Sequence, residues 1–510
     1  MNYTFSSRLK ISSIVLMVLG VLCLAYGFLS VPASVEEARQ RLEAEEGHGD
    51  HGGGHGSVVI AEGSDLAMLS EDEYLLAQDQ HSEGGTQTHG DSHAPEAAVD
   101  QQHEEAQHTE GQSHDYSAAG AHGASGHGDA HGDNAHHGGH HDPDTIMFHQ
   151  MQNRPWSALY VAAFFFFMMS LGVLAFYAVN RAAQAGWAPL LFRVMEGITT
   201  YIIPGGIIIY VIFVLSVAGL NHMFVWMDAE TRAADHILLK KEGFLNPVGF
   251  LIRSAVYLGL WILYQQLSRR FSLAQDKAGP GEIKNYTRNF KWSAAFLVIY
   301  LISESMMSWD WIMSLDPHWF STLFGWYLFA SMFVSGITVI ALVTIYLKSR
   351  GYLELVNDSH IHDLAKFMFG MSIFWTYLWF SQYMLIWYAN IPEEVTYFKM
   401  RFGEYQLPFL SMLVLNFAFP VLVLMRSHYK RINWFVVTTG IVILIGHYMD
   451  VYNMVMPGTV GVHYGFGLPE IGGILFFSGL FIFIVFSTLA KESLVPQGSP
   501  FLEESKQFEY

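Results

Sequence analysis

Two carboxylic acids, Glu304 and Asp310, fall inside an apolar run that begins near Trp292, and a third, Asp316, precedes Pro317 just past its end. Hydrocarbon does not tolerate such groups without partners, so an acid inside a membrane helix marks a functional site by default. Acids of this kind exchange protons, and a buried one does so near neutral pH when its surroundings shift its titration. Elsewhere in the chain His447 and Asp450 stand three residues apart, which puts both on one face of a helix. Arg253 lies in another apolar run and has the charge to keep a nearby acid ionised. Asn221, His222 and Asp228 follow the end of a third run. The chemistry these groups share is proton transfer, or the oxidation of a quinol, which needs a base to take its protons. Gln382, Tyr383 and Trp309 are the candidates for holding a quinone ring.

These residues must be placed by helices that cross a bilayer. The first apolar run is Ile11–Leu29, read as an uncleaved anchor rather than a signal peptide. Nine more follow, at about 156–179, 198–219, 247–267, 292–312, 323–347, 365–389, 407–425, 432–454 and 470–490. Each is ~20 residues or longer, enough for a hydrocarbon core of ~30 Å. Continuous apolar runs exclude a β-barrel, whose strands alternate. The fold class is therefore an all-α integral membrane protein of about ten transmembrane helices. Pro204-Gly205-Gly206 in the third run invites a kink or break.

Lys and Arg cluster in alternate loops: Arg181 and Arg193; Arg269, Arg270, Lys277, Lys284, Arg288 and Lys291; Lys348 and Arg350; Arg426, Lys430 and Arg431. By the positive-inside rule those loops and both termini are cytoplasmic. Glu304, Asp310, Arg253, Gln382, Tyr383, His447 and Asp450 then all lie in the outer half of the membrane, and Glu470 opens the last span from outside. The inner half shows mainly Glu196. A continuous path across the membrane is not evident from the sequence. Trp156, Trp319, Trp326, Trp387 and Trp434 fall near span ends, as an aromatic belt requires.

Composition supports this class and excludes others. Of 510 residues 51% are hydrophobic, 15% aromatic and only 14% charged, with a mean hydropathy of +0.25. The net charge of −19 belongs largely to one polar insertion and the chain end. No basic stripe suits nucleic acid, and no nucleotide-binding loop is present. The single cysteine, Cys23, rules out an intrachain disulfide, an Fe–S cluster, a zinc–thiolate site and CxxCH haem attachment. Bis-histidine haem needs two facing histidines, and His447 has only His222 as a mate. Any redox cofactor must then be carried by a partner, be a diffusible quinone, or be a haem held by histidine.

Residues 30–155 form the polar insertion, within which Glu36–Glu46 reads as a short charged helix and Ser57–Ala77 as a patch with some apolar content. Sixteen of the 25 histidines lie between Gly47 and His141, ending in His136-His137-Gly138-Gly139-His140-His141. Such a segment cannot bury a core and reads as largely disordered. His136, His137, His140 and His141 are metal-ligand types without a fixed geometry.

Spans two to five can be laid over spans six to nine. Asp310 with Pro317 then matches Asp450 with Pro457, and Tyr160-x-x-Ala163 matches Tyr327-x-x-Ala330. An even number of helices per unit makes such a repeat parallel. The domain organisation that follows is an N-terminus and first helix (1–29), the insertion (30–155), two four-helix bundles (156–312 and 313–454), a loop and last helix (455–490), and a tail (491–510). The first and last spans flank the bundles.

Certain residues carry a family resemblance. The N-terminus Tyr3-Thr4-Phe5-Ser6-Ser7-Arg8-Leu9-Lys10 leads at once into a span and then a long insertion. Ser308-Trp309-Asp310-Trp311-Ile312-Met313-Ser314-Leu315-Asp316-Pro317-His318-Trp319-Phe320 runs into Phe324-Gly325-Trp326-Tyr327. These stretches resemble the polysulfide-reductase membrane-anchor (NrfD-like) family, in particular the F subunits of bacterial alternative complex III. The His-rich tract departs from that pattern. The resemblance implies a subunit of a quinol:cytochrome c or quinol:oxidase assembly in a bacterial inner membrane. Its partners would be a second NrfD-like subunit, an Fe–S subunit, cytochrome c subunits, lipid and a terminal oxidase. Quinol, haem c and Fe–S would belong to those partners, and this chain would offer a proton route.

The expected relay groups are Glu304, Asp310, His447 and Asp450, with Arg253 and His222 as helpers. One rival is a quinol-binding subunit proper. Another is a divalent-metal transporter with a His-rich outer loop, against which stands the lack of a second His–Asp pair on a facing helix. A passive scaffold is the third, and it predicts that Glu304→Gln and Asp450→Asn change nothing.

Overall fold

The computed structural model describes residues 3–48, 143–279 and 281–509, and among them every regular element is helical. The metal-ligand candidates His136, His137, His140 and His141, and the patch at 57–77, lie outside the described residues. Among the described residues nine helical segments are long and apolar enough to cross a membrane: Ser7–Leu29, Asp144–Ala182, Pro189–Val217, Pro247–Asp276, Lys284–Leu315, Phe324–Ser349, Gln406–Leu424, Asn433–Val460 and Leu468–Leu489. The expected tenth, 365–389, lies within a 32-residue helix, Asp358–Ala389. Its Trp, Tyr, Ser and Gln residues hold its hydropathy below the others, although its length is ample.

We number the helices α1 (Ser7–Leu29), α2 (Val35–His48), α3 (Pro143–Ala182), α4 (Phe192–Thr199), α5 (Ile202–Val217), α6 (Ala229–Ala234), α7 (His236–Lys241), α8 (Pro247–Asp276), α9 (Lys284–Trp311), α10 (Phe324–Ser349), α11 (Asp358–Ala389), α12 (Pro392–Gly403), α13 (Gln406–Leu413), α14 (Phe419–Leu424), α15 (Asn433–Val460), α16 (Leu468–Leu489) and α17 (Leu502–Lys506). The charged helix expected at Glu36–Glu46 is α2. The insertion is shorter than its sequence bounds suggest, because α3 begins at Pro143, thirteen residues before the apolar run.

Helix α3 is the axle of the fold. In its most apolar stretch 94% of residues are buried, and it packs against α4, α5, α9, α10, α15 and α16. It crosses α10 with backbones almost touching. A Cβ on Gly172 would stand 2.0 Å from the Met332 carbonyl oxygen, and one on Gly336 would stand 2.7 Å from the Gly172 carbonyl carbon. Only glycine permits this approach. Helices α1 and α16 pair in the same way, through Gly20 and Gly27 on one and Gly472 and Gly479 on the other. The rest of α1 faces outward and is apolar.

Prolines and caps set the helix boundaries that matter. The break in the third span sits at Thr200–Tyr201, just before α5, because Pro204 cannot donate to the carbonyl four residues back. Helix α8 starts with Pro247 behind an Asn246 cap whose side chain accepts the Gly249 N–H at 2.7 Å. That cap fixes Arg253 in the second turn. Pro317 lies beyond α9, whereas Pro457 is inside α15, which continues to Val460. The match drawn between the two prolines therefore joins a helix end to a helix interior. Between α13 and α14 lies a π-helical turn, Val414–Ala418. Pro420 follows that turn by two residues and cannot donate to Asn416.

Both chain ends lie at one end of the bundle. Tyr3 packs on Tyr352 and Phe486 there, and the tail folds beneath α8, α9 and α11. We call this the basal end; the Lys/Arg-rich loops are on it. Of the belt tryptophans, Trp326, Trp387 and Trp434 are exposed. Trp319 is instead buried and stacked on Tyr397 at 3.9 Å.

Candidate functional site

Asp310 is fully buried on α9, and α8 builds its partners one turn apart. Arg253 grips it with two hydrogen bonds, Nε to Oδ2 at 2.9 Å and a terminal nitrogen to Oδ1 at 2.7 Å, and Tyr257 donates its hydroxyl at 2.9 Å. The same arginine donates to the Phe244 carbonyl at 2.8 Å and lies over the Phe244 ring. This fork-to-carboxylate geometry is the strong form of an ion pair. The neighbouring Trp311 donates to Ser254 at 2.9 Å, and its carbonyl accepts from Tyr160 at 2.8 Å.

Glu304 is different. It lies six residues closer to the basal end of α9, 2% exposed. Its Oε1 has no hydrogen-bond partner among the described residues, and neither does the Tyr300 hydroxyl one turn below it. Beside them Trp261 donates to Ser303 at 2.9 Å.

Further toward the basal end α8 and α9 carry a hydrogen-bonded network. The Tyr264 and Ser293 hydroxyls are 2.7 Å apart, and Ser293 donates to the Asn289 carbonyl at 2.8 Å. Asn289 also takes a bond from Ser268 at 2.7 Å and donates to the Tyr177 oxygen at 3.2 Å. Tyr177 donates in turn to Glu196 at 3.1 Å. Glu196 is held by Arg193 at 2.6 Å with Arg181 at 3.7 Å, and Arg193 also pairs with Asp276.

No continuous path is evident in the residue order alone, but the structure gathers these groups into one stripe. On α8 it reads Arg253, Tyr257, Trp261, Tyr264, Ser268, Ser272, and on α9 Asn289, Ser293, Tyr300, Glu304, Asp310. Steps of three, four and seven keep one helix face, and the step of six from Glu304 to Asp310 turns about 120° around α9. On α8 sequence reasoning named Arg253 and missed Tyr257, Trp261, Tyr264, Ser268 and Ser272, although their periodic spacing was there to be read. The Arg181–Arg193–Glu196–Asp276 cluster offered no such signal, because its members lie on three separate segments. In the stripe's middle, Phe296 stacks on Tyr264 at 3.9 Å. The stripe is therefore continuously bonded at its basal end and bonded at Asp310, while between Ser293 and Glu304 only the Trp261–Ser303 bond is made and the Tyr300 hydroxyl and Glu304 Oε1 have no partner among the described residues.

Asp450 forms a second site. It is fully buried on α15 and accepts hydrogen bonds from Tyr327, from Ser331 at 2.6 Å and from the Trp375 indole at 3.0 Å. The His447 Nδ1 is 3.4 Å away, and its Nε2 has no partner among the described residues. So the expected His–Asp pair exists, but three neutral donors surround it where Asp310 has an arginine. Asn416, on the π turn, reaches His447 at 3.5 Å. A Cβ on Gly446 would come within 2.1 Å of the Asn416 Oδ1, so the π turn and α15 lie in close contact there. Pro457 frees the Asn453 carbonyl within α15, and Arg401 of α12 takes it at 3.2 Å. Arg401, Gln382, Tyr397, Trp379 and Asp450 line a cavity of about 10 Å³, room for the centre of one water.

Other expected residues stand apart. Gln382 is at the Asp450 cavity, and Tyr383 stacks beside it on Trp379. Trp309 is half-buried on α9 and does not line that cavity, so the three quinone candidates do not converge. His222 stacks on His149 with ring centroids 4.0 Å apart, and its backbone N–H donates to Asn153 at 2.9 Å. It belongs to the distal loop, not to the stripe. Glu470 is 1% exposed, caps α16 through the Gly467 N–H at 2.8 Å and pairs with Arg154 at 3.1 Å. Among the described residues no three His, Cys, Asp or Glu side chains group as metal ligands.

The distal loop carries one pH-sensitive contact. Asp235 caps α7 and meets His318 at 2.5 Å. Burial works to raise the Asp235 carboxyl, but hydrogen bonds from His318 and from the Ile237 and Leu238 N–H groups outweigh it and hold it below its ordinary range. A depressed carboxyl contributes stability above its unfolded value of about 4, and that stability is lost as pH falls through the folded value. Protection factors across 229–241 should therefore fall as pH drops below about 4, and Asp235→Asn should show the lowered protection already at pH 7.

Comparison of the chain with models of known protein families finds no match. Comparison with the curated proteins finds none either.

Proposed function

We propose that this chain is the proton-relaying membrane subunit of a respiratory quinol-oxidising assembly of the alternative complex III type. The assembly would be a quinol:cytochrome c or quinol:oxidase oxidoreductase in a bacterial inner membrane. The chain would hold no redox centre, leaving quinol, haem c and Fe–S to its partner subunits. In this reading α11 is the tenth span, the basal end is cytoplasmic, and two four-helix units are flanked by α1 and α16. The second unit is α10, α11, α13–α14 and α15.

The observation that carries the proposal is the polar stripe between α8 and α9. Maintaining buried acids, hydroxyls and an unbonded carboxyl along a whole membrane helix costs folding energy. A scaffold gains nothing from it. Protons would pass from the Glu196–Asp276 cluster through the Tyr177 and Ser268 hydroxyls, cross on water past Tyr264 and Ser293 to Glu304, and leave past Asp310. The residue resemblance around Asp310 supplies the respiratory context. A quinol site in this chain is a weaker reading, because a ring does not enter the Asp450 cavity unless α12 moves.

Purification from native membranes in mild detergent tests the context. Cytochrome c and Fe–S subunits should co-purify, and deletion of 81–141 should leave quinol oxidation intact. A chain that purifies alone, or a deletion that abolishes divalent-metal uptake, would remove the respiratory reading in favour of transport.

A further inference from the structure

The basal end of the stripe is covered by the chain's own tail. Leu494 and Leu502 are buried anchors, and the segment between them crosses the mouth. The Gly498 N–H donates to Asp276 Oδ1 at 3.0 Å, on the carboxylate that pairs with Arg193. A Cβ on Gly498 would stand 2.2 Å from the Gln275 carbonyl oxygen, so the tail lies main chain against main chain on the last turn of α8. Beyond Leu502 the tail is tied down by Ser505, which donates to the Trp187 carbonyl at 2.8 Å, and by Asn357, which donates to Phe508 at 2.5 Å.

Two cavities of about 10 Å³ flank this crossing. One is lined by Arg181, Ser272, Asp276, Asn289, Pro496 and Ser499, the other by Arg193, Glu196, Arg269, Glu492, Ser493 and Leu494. Each has room for the centre of one water. The crossing walls the first with Pro496 and Ser499, so moving it would open that cavity to solvent, while the second is walled by the tail at the Leu494 anchor itself.

We infer that residues 491–499 are a displaceable strap that governs water access to the Arg181–Arg193–Glu196–Asp276 cluster, with Gly498 as its latch. The inference rests on the proton-relay reading, and it gives that relay a gate on its basal side. One hydrogen bond and one backbone contact hold the latch, while hydrophobic anchors hold the ends. The crossing is therefore the weakest part of the tail, and local opening starts at such places.

The test uses the full chain in detergent, with Cys23→Ser and Ser272→Cys, and a membrane-impermeant maleimide. Ser272 is 4% exposed. Gly498→Val forces the strap off Gln275 and should speed labelling about tenfold or more. Leu502→Ala, which loosens an anchor without touching the latch, is the second variant and should also accelerate it. Equal rates in all three proteins would overturn the strap. Proton flux in proteoliposomes reads the relay separately. Faster labelling with unchanged flux upholds the strap and removes the relay. Flux that falls in Glu304→Gln, with no labelling change in the latch variants, does the opposite.

Discussion

Arg253→Leu will destabilise the protein by about 3–5 kcal/mol, the cost of leaving one charge of a buried pair uncompensated. Asp310 is fully buried and receives two of its three side-chain hydrogen bonds from this one guanidinium. Once the arginine is gone, only the Tyr257 hydroxyl remains. Adding Asp310→Asn should recover most of the loss, since the amide carries no charge. The double-mutant cycle, read from thermal unfolding in detergent, should give a coupling of about 2–3 kcal/mol. A single variant as stable as the parent would mean that Asp310 is already neutral or reaches water, and the distal end of the stripe would need another account.

Glu304→Gln should do the reverse, sparing stability and stopping protons. The amide has nearly the same shape, and Oε1 has no bond to lose among the described residues. Melting should therefore shift by no more than about 0.5 kcal/mol. Turnover-linked proton movement should fall by about 100-fold, the usual scale for removing a proton-transfer group. The measurement is pH-dye quenching in proteoliposomes holding the assembly during quinol oxidation. Asp450→Asn belongs in the same series, because Tyr327, Ser331 and Trp375 occupy its oxygens without marking a route. Unchanged proton movement in Glu304→Gln would sink the relay.

The parts of this fold that follow hydrocarbon thickness were legible in the residues. The spans follow from run length, and the placing of Glu304, Asp310, His447 and Asp450 away from the basal end follows from where those acids and imidazoles sit within the runs. Helix α11 shows the limit of that logic, since its tryptophans and tyrosines lower its hydropathy without shortening it. Partnership was less legible. Nothing local to Asp310 says that Arg253 will grip it while Asp450 is held by Tyr327, Ser331 and Trp375. Those choices depend on which helices touch. His222 was misgrouped for the same reason: its depth matched the relay groups, but its neighbour is His149. The basal cluster was missed because Arg181, Arg193 and Glu196 read as ordinary loop charges until Asp276 and Tyr177 are brought to them.

The central position of α3 bears on how the protein is made. This helix leaves the ribosome second among the spans, yet the helices that enclose it, α15 and α16, are synthesised last. Phe165 and Phe166, which meet Tyr448, Phe477 and Phe481, must therefore wait in lipid while most of the chain is inserted. Gly172 stays solvated by acyl chains until Gly336 arrives. Biogenesis thus ends, rather than begins, with the burial of the core, and truncation of the last span would strand the protein as an unclosed intermediate exposed to membrane quality-control proteases.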